Sequence, residues 1–247
     1  MLVYRYGQTA RQTGTQRYYN NRFPATDFPH MSIDFARARE TMVEQQVRPW
    51  DVLDARVLET LARMPREAFV ADALRGLAYT DTELPIGHGE AMMKPVLEGR
   101  TLQALLPNAT ESVLEIGAGS GYLAACLAQL SREVVAIERH ADLADAAQAR
   151  LAAQGIGNAT VHAADAFAWQ PGRGFDVICV SGAVAAIPAR FVEWLNPGGR
   201  MFVVHGRSPA MEAALVHRTV NGSRVESLFE TDLPYLAGAE PVPAFTL

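Results

Sequence analysis

The strongest constraint on the fold is an alternation of apolar and amphipathic runs between residues 112 and 205. Strands that alternate with helices at this spacing predict βαβ units, and therefore a parallel sheet with helices on both faces. One run, Phe175–Val180, is apolar throughout, which is typical of a central strand. The predicted strands are Ser112–Ile116, Glu133–Glu138, Thr160–Ala164, Phe175–Val180 and Arg200–His205; the predicted helices are Tyr122–Leu130, Ala141–Ala153 and Ala189–Leu195.

The pattern changes after residue 206. Two runs, Ala213–Val220 and Ser223–Phe229, flank the dipeptide Asn221-Gly222, which predicts an antiparallel hairpin with a type I′ turn. A hairpin that closes a mostly parallel sheet is unlike a standard dinucleotide-binding domain. We therefore expect an α/β fold with a C-terminal antiparallel hairpin.

The chain before the sheet predicts helices. The pattern is helical over Ile33–Val47, Pro49 interrupts it, and Asp51 is placed to cap a second helix that ends near Met64. Further on, Tyr79–Met93 is loop-like, and Pro95 can begin another helix.

The first 31 residues differ from the rest, because they carry four arginines, one acid and no periodic pattern. We expect a disordered extension there, and Met31 is a candidate native start. The predicted divisions are the extension 1–31, a helical and lid segment 32–110, and a cofactor-binding core 111–247.

The composition indicates which classes of binding partner this protein is expected to lack. The formal charge is −5, so no overall basic surface is available for phosphate backbones, and nucleic acid is not expected. No apolar run approaches the roughly 20 residues that span a bilayer, so no membrane partner is expected. Cys126 and Cys179 each lie inside an apolar run, which indicates small core residues in a reduced, cytoplasmic protein. No metal-ligand motif is present.

The chemistry is carried by the loop Gly117-Ala118-Gly119-Ser120-Gly121, which joins a predicted strand to a predicted helix. Glycines allow the backbone to approach a ligand closely, and the helix start supplies free N–H groups. Dinucleotide-binding loops have the spacing G-x-G-x-x-G, whereas this loop has G-x-G-x-G, with Tyr122 at the place of the third glycine. The tighter spacing favours a nucleoside–methionine ligand, S-adenosylmethionine.

Two acids and one loop follow the next strands. Glu138 ends the second strand, where an acid can accept hydrogen bonds from ribose hydroxyls. Asp165 follows the third strand and either accepts from an adenine amino group or caps a helix. Ser181-Gly182-Ala183 follows the fourth strand, at the sheet edge where open α/β folds bind ligands. The candidate cofactor-binding residues are Glu115, Gly117, Ala118, Gly119, Gly121, Tyr122, Glu138, Arg139, Asp165, Ala166 and Ser181.

Several of these stretches agree with one family. Leu84–Gly89, Val113–Leu123, Phe175–Pro188 and Leu195–Val204, taken in order, resemble the protein-L-isoaspartate O-methyltransferases over roughly residues 33 to 206. The resemblance implies a seven-stranded methyltransferase fold, S-adenosylmethionine as donor, and a peptide or protein carboxylate as acceptor.

The resemblance also implies a lid. Residues 84–96 match the family loop that covers the cofactor and holds the substrate carboxylate. The family pattern has hydroxyl side chains where this chain has Ala91 and Met93, and Met93 stands at the place of a serine considered important for the reaction. No catalytic residue is therefore assigned. The candidate substrate-binding residues are Ile86, Gly87, His88, Met92, Met93, Gly182 and Ala183.

Alternatives remain open at this point. The lid changes favour methylation of another peptide or small molecule, and a cofactor-binding protein without turnover is a third reading. A nicotinamide dehydrogenase is disfavoured by Tyr122 and by the terminal hairpin. His88 either contacts the substrate, or serves as a base, or packs within a turn. The sequence makes no prediction of oligomeric state.

Overall fold

The computed structural model describes residues 33–242; the predicted extension 1–31 and the candidate start at Met31 lie outside the described residues. Within the described residues, a π-helical segment (Val43–Val47) and three short 3-10 segments (Arg48–Trp50, Arg66–Ala68 and Asp72–Leu77) precede the main sheet. Three α-helices and a small hairpin also precede it. They are α1 (Phe35–Met42), α2 (Ala55–Arg63), the strands β1 (Leu84–Gly87) and β2 (Glu90–Met92), and α3 (Pro95–Leu105).

Two details of this region differ from the prediction. The predicted cap at Asp51 is wrong: Asp51 adopts a left-handed conformation with φ 62°, and Asp54 caps α2 by accepting from the main-chain N–H groups of Arg56 and Val57. The loop predicted over Tyr79–Met93 contains the antiparallel pair β1 and β2. Neither strand is long enough to give a periodic pattern, so the sequence does not reveal them.

The main sheet has seven strands. They are β3 (Ser112–Ile116), β4 (Glu133–Glu138), β5 (Ala159–Ala163), β6 (Phe175–Val184), β7 (Leu195–Arg207), β8 (Ala210–Thr219) and β9 (Gly222–Thr231). Their order is β5-β4-β3-β6-β7-β8-β9. The first five in that order are parallel, while β8 and β9 are antiparallel to their neighbours. This confirms the predicted fold class, including β6 as the central strand.

The terminal hairpin is present, but its turn is not the predicted type I′. Thr219 pairs with Gly222, so the loop consists of Val220 and Asn221. A type I′ turn needs positive φ at both loop residues, and neither has it. The β-branched Val220 disfavours that conformation, and the positive φ falls on Gly222, at 132°.

Apolar side chains cover both faces of the sheet. Along β3, Val113 points to one cluster and Leu114 to the other, as the two-residue period of a strand requires. The remaining helices are α4 (Tyr122–Leu130), α5 (Ala141–Ala153) and α6 (Ala189–Glu193). Residues of α2 to α5 join the Val113 cluster, and Phe191 of α6 joins the other, which confirms helices on both faces.

The topology fixes the place of a ligand. The chain runs from β3 outward through β4 to β5 and then returns to β6 on the other side of β3. Ligands of open α/β sheets bind outside the carboxyl ends of the strands at such a reversal. None of the helices between residues 33 and 242 is long and apolar enough to cross a membrane. The division at residue 110 stays a prediction.

Candidate functional site

The glycine loop follows β3 directly and forms the floor of a cleft. Gly117 and Gly119 have φ values of 92° and 50°, which side chains rarely adopt. A Cβ atom on Gly119 would lie 3.0 Å from the Ile86 side chain, and one on Gly117 would lie 3.4 Å from Leu236. Because these two positions carry no side chain, the backbone of the loop is accessible on the side that faces the cleft.

Two of the predicted cofactor residues serve the packing behind this loop instead of lining the cleft. A Cβ atom on Gly121 would lie 3.1 Å from Ala147, so Gly121 allows α5 to approach. Tyr122 is fully buried, and its ring meets Phe69 edge-on at 5.5 Å.

Glu138, at the end of β4, is oriented by two main-chain groups. Its Oε2 accepts from the N–H of Gly119 at 2.9 Å, and its Oε1 accepts from the N–H of His140 at 3.0 Å. An ionised carboxylate has about four acceptor positions, so further positions remain for hydroxyl donors. These two bonds hold the Glu138 side chain at the cleft wall.

Asp165 is followed by a turn and not by a helix, so it does not serve as a helix cap. Its Oδ1 accepts from the N–H of Phe167 at 2.8 Å, which forms a local turn, and the residue also lines the cleft. Arg139 and Ala166 line the same wall. The turn orients the carboxylate, and the second oxygen is available to an amino donor.

Glu115 lies beneath the loop with 1% of its surface exposed. Its Oε1 accepts from the Ser181 hydroxyl at 3.1 Å, and its Oε2 has no hydrogen-bond partner among residues 33–242. Burial raises the pKa of Glu115 to about 8, and the nearby Glu138 and Glu98 act in the same direction. The unpartnered oxygen is an observation that fits a cofactor carrying an amino group, since such a group would satisfy it.

The hairpin β1–β2 and the residues after it form the lid. Ile86, Ala91 and Met93 line the cleft, and Met92 lines a small void that adjoins it. Where the family has hydroxyls, apolar side chains thus face the interior. His88, with φ 54°, is not among the lining residues.

Arg66 holds the lid from behind. Its Nε donates to the carbonyl of Ala78 at 2.7 Å and its NH2 group to the carbonyl of Met93 at 2.6 Å, while NH1 pairs with Glu98. Burial by itself would lower the pKa of Arg66, but the Glu98 carboxylate outweighs it, and the pKa is raised. Arg66 is fully buried, so the contact is dry. No local pattern predicts this contact, because the partners of Arg66 lie 12 to 32 positions away along the chain.

The segment after β9 closes the other side of the cleft and was not predicted. The N–H of Ala183 donates to the carbonyl of Pro234, and the N–H of Leu236 donates to the carbonyl of Ala183, both at 2.8 Å. A Cβ atom on Gly182 would lie 2.8 Å from the Leu236 side chain. Ala183 therefore acts through its backbone, and Gly182 makes room for Leu236. The unpredicted lining residues are Glu83, Glu90, Ile116, Ile137, His140, Ala164, Phe167 and Leu233–Ala237.

The structure brings most of the candidate residues to one place. Those that line the cleft are Gly117, Gly119, Glu138, Arg139, Asp165, Ala166, Ser181, Ile86, Met93 and Gly182. Those that line the adjoining void are Glu115, Ala118 and Met92. Gly87, His88, Gly121, Tyr122 and Ala183 line neither.

Comparison with known proteins places this arrangement in a family. A sequence profile described as protein-L-isoaspartate(D-aspartate) O-methyltransferase matches residues 37–232. A relative from Rhodopseudomonas palustris strain HaA2, named protein-L-isoaspartate O-methyltransferase 1, is 42% identical over 85% of this chain and 86% of its own. One from Methylorubrum extorquens strain PA1, named protein-L-isoaspartate O-methyltransferase, is 44% identical over 70% of this chain and 76% of its own.

A solved structure agrees on the fold. A Plasmodium falciparum protein assigned to the same class and crystallised with S-adenosyl-L-homocysteine superposes with a TM-score of 0.71 at 20% identity, over 80% of this chain and 97% of its own. The profile match and the relatives confirm the resemblance predicted from the motifs. The chain belongs to the protein-L-isoaspartate(D-aspartate) O-methyltransferase family.

Proposed function

We propose that this protein transfers a methyl group from S-adenosylmethionine to the carboxylate of isoaspartyl residues in peptides and proteins. The observation that carries the proposal is the family match over residues 37–232. S-Adenosylmethionine is the donor that this family uses. Among the relatives, those at about 40% identity are named for this activity.

Different residues of the cleft bind different parts of the donor. Glu138 takes the ribose hydroxyls, Asp165 the adenine amino group, and Glu115 the amino group of the methionine part. The bare backbone of Gly117 and Gly119 allows close approach. When bound, the sulfonium supplies an electrophilic methyl group, which the acceptor oxygen takes up as the methyl–sulfur bond breaks.

The acceptor needs no general base from the protein. A carboxylate is already ionised at pH 7, because its ordinary pKa is near 4. The protein's task is to position the oxygen and to exclude water. The lid side chains Ile86, Ala91 and Met93 supply an apolar wall over the cleft, and loss of the two opposite charges in the reaction is favoured in a dry site.

The test is methyl transfer from labelled donor to an isoaspartyl peptide, beside the same peptide with ordinary aspartate. We expect a base-labile methyl ester only on the isoaspartyl peptide. A Glu138→Gln variant should lose at least about tenfold in activity, because the amide cannot accept as two charged oxygens do. Donor binding without ester on either peptide would count against the proposal.

A second candidate is methylation of a different peptide or small molecule, which the lining position of Ala91 and Met93 favours. Met93→Ser restores the family hydroxyl there. A variant more active than the natural chain on the isoaspartyl peptide would indicate a lid adapted to another acceptor. If S-adenosylhomocysteine binds and no acceptor is methylated by either form, a binding role without turnover is the better reading.

We also propose a cytoplasmic location, because Cys126 and Cys179 are free and buried, as in proteins of reducing compartments. Cell fractionation tests this. The expected absence of a nucleic-acid partner rests on the net charge of −5.

A further inference from the structure

The turn after β5 carries the acid assigned to the adenine amino group, and the sheet gives it little support. β5 is an edge strand, and Asp165 is exposed. The N–H groups of Ala168 and Trp169 donate to the carbonyl of Asp165 at 3.0 and 2.8 Å, and Asp165 Oδ1 accepts from the N–H of Phe167. All of these bonds lie within the turn, so its position relative to the cleft depends on contacts with other elements.

Arg190 attaches this turn to α6, the helix that follows β6. Its NH1 group donates to the carbonyl of Phe167, and its NH2 group donates to the carbonyl of Trp169 at 2.8 Å. Among the hydrogen bonds within residues 33–242, no other side chain donates to either carbonyl. Because the guanidinium is a rigid planar fork, two bonds from it fix the orientation of the turn as well as its distance from α6.

Four aromatic rings pack the same turn against the same helix. The ring centroids of Phe167 and Phe191 are 5.6 Å apart, and Trp169 meets Trp194 edge-on at 5.7 Å. The Cζ atom of Arg190 lies 5.2 Å from the centroid of the Trp194 ring, within the range of a cation–π contact. The arginine is thus held in place by the helix, and its two donors are directed at the turn.

We propose that Arg190 is a positioning residue for adenine recognition: by holding the carbonyls of Phe167 and Trp169, it directs the Asp165 carboxylate toward the adenine amino group. The inference rests on the donor and on the role of Asp165 given in the proposed function. Arg190 lines neither the cleft nor the adjoining void, so it acts through the turn. Asp165 and Phe167 both line the cleft, and a shift of the turn therefore moves this part of the wall as one unit.

The expected consequence is selectivity for the base of the ligand. Hypoxanthine has a carbonyl oxygen where adenine has an amino group, and an ionised carboxylate offers no proton to that oxygen. A well-placed Asp165 therefore distinguishes the two bases, whereas a displaced one distinguishes them less. The transferred methyl group is attached to the sulfur and not to the base, so kcat at saturating donor should change little.

Calorimetry of S-adenosylhomocysteine and S-inosylhomocysteine binding tests the inference. The natural protein should bind the adenine ligand more tightly by about tenfold or more, the effect of one hydrogen bond to a charged group. Arg190→Leu keeps an apolar side chain beside Trp194 but removes both donors, so this preference should fall to about threefold or less. A purely structural role of Arg190 would weaken the binding of both ligands equally and leave the ratio unchanged.

Arg218 provides a matched control at the end of the same helix. Its NH1 group donates to the carbonyl of Glu193 at 2.7 Å and to that of Leu195, and Arg218 lines neither the cleft nor the void. Arg218→Leu removes bonds of the same kind without touching the turn. It should therefore lower the stability of the protein and leave the preference for adenine unchanged.

An unchanged ratio in Arg190→Leu, or an equal fall in Arg218→Leu, overturns the inference and leaves the proposed function standing. A natural protein with no preference for adenine overturns both the inference and the adenine role of Asp165. A natural protein that binds neither ligand overturns the donor assignment as well. Should Arg190→Leu not fold, Arg190→Lys decides by the same ratio, because lysine keeps the charge but lacks the planar fork that bonds two carbonyls.

Discussion

His88 and Asp142 connect the lid to helix α5: Nε2 of His88 lies 2.8 Å from Oδ2 of Asp142. The His88 ring also stacks on His140, with ring centroids 4.0 Å apart, and His140 lines the cleft. The contact therefore crosses the mouth of the cleft. This places His88 as a residue that holds the lid, beside the substrate-contact role predicted from the sequence.

Removing this contact should speed ligand exchange. An Asp142→Asn substitution replaces the carboxylate acceptor with an amide, so we expect faster release of S-adenosylhomocysteine, by no more than about fivefold, because exposed polar contacts contribute little. Stopped-flow fluorescence measures the rate. Asp145→Asn, an exposed acid on the same helix, is the control and should have no effect; equal release rates in all three proteins would contradict a role in closure.

Breaking the buried pair of Arg66 and Glu98 should destabilise the whole fold. Arg66→Leu leaves Glu98 charged or forced to protonate and leaves two carbonyls without donors, so we expect a loss of about 3 to 5 kcal/mol in unfolding free energy. Denaturant titration measures it. The matched control is Arg63→Leu, because the Arg63 side chain is 78% exposed; a comparable loss in both variants would argue against the buried network.

A Gly182→Ala substitution should weaken ligand binding in the cleft more than it lowers the stability of the fold. The new methyl group would lie 2.8 Å from the Leu236 side chain, so the segment Leu233–Ala237 must shift. We expect weaker binding of S-adenosylhomocysteine, by about tenfold or more, measured by calorimetry. Gly172→Ala is the control, because its added Cβ meets nothing within 4 Å. Unchanged affinity in Gly182→Ala would show that the segment does not bound the ligand.

Glu115 should also make the stability of the cofactor-free protein depend on pH. Burial raises its pKa from an ordinary 4.5 to about 8 in the folded protein, so the folded form binds the proton more tightly. The stabilisation is complete below pH 4.5 and is lost as the pH rises toward 8. Relative to Glu115→Gln, the natural protein should lose at least about 5 °C in Tm between pH 5 and pH 8. A constant difference in Tm would contradict the raised pKa.

The sequence predicts the parts of this fold that depend on local pattern. The strand Ser112–Ile116 and the helix Tyr122–Leu130 have the predicted bounds, because apolar periodicity and the glycines between them are local signals. Glu138 and Asp165 lie at the cleft because parallel strands end at one edge of the sheet.

Features that depend on distant partners were not predictable in this way. The segment Leu233–Ala237 has no periodic pattern, and its place is fixed by backbone pairing with Ala183. By its sequence alone, Arg66 resembles an ordinary surface arginine. Its contacts with Glu98 and with the carbonyl of Met93 are visible only in the structure. Asp51 and Asp54 are equally good caps by residue type, and the left-handed backbone at Asp51 decides between them.

Arg66 holds the lid by donating a hydrogen bond to the main-chain carbonyl of Met93. The side chain of Met93 takes no part in this hydrogen bond. Every residue has a main-chain carbonyl, so replacement of the Met93 side chain does not by itself release the lid. The side chains at positions 91 and 93, which line the cleft, can therefore be replaced one at a time without loss of this contact. The attachment of the lid and the chemistry of its cleft-facing side are thus encoded separately, the first in a main-chain carbonyl and the second in side chains.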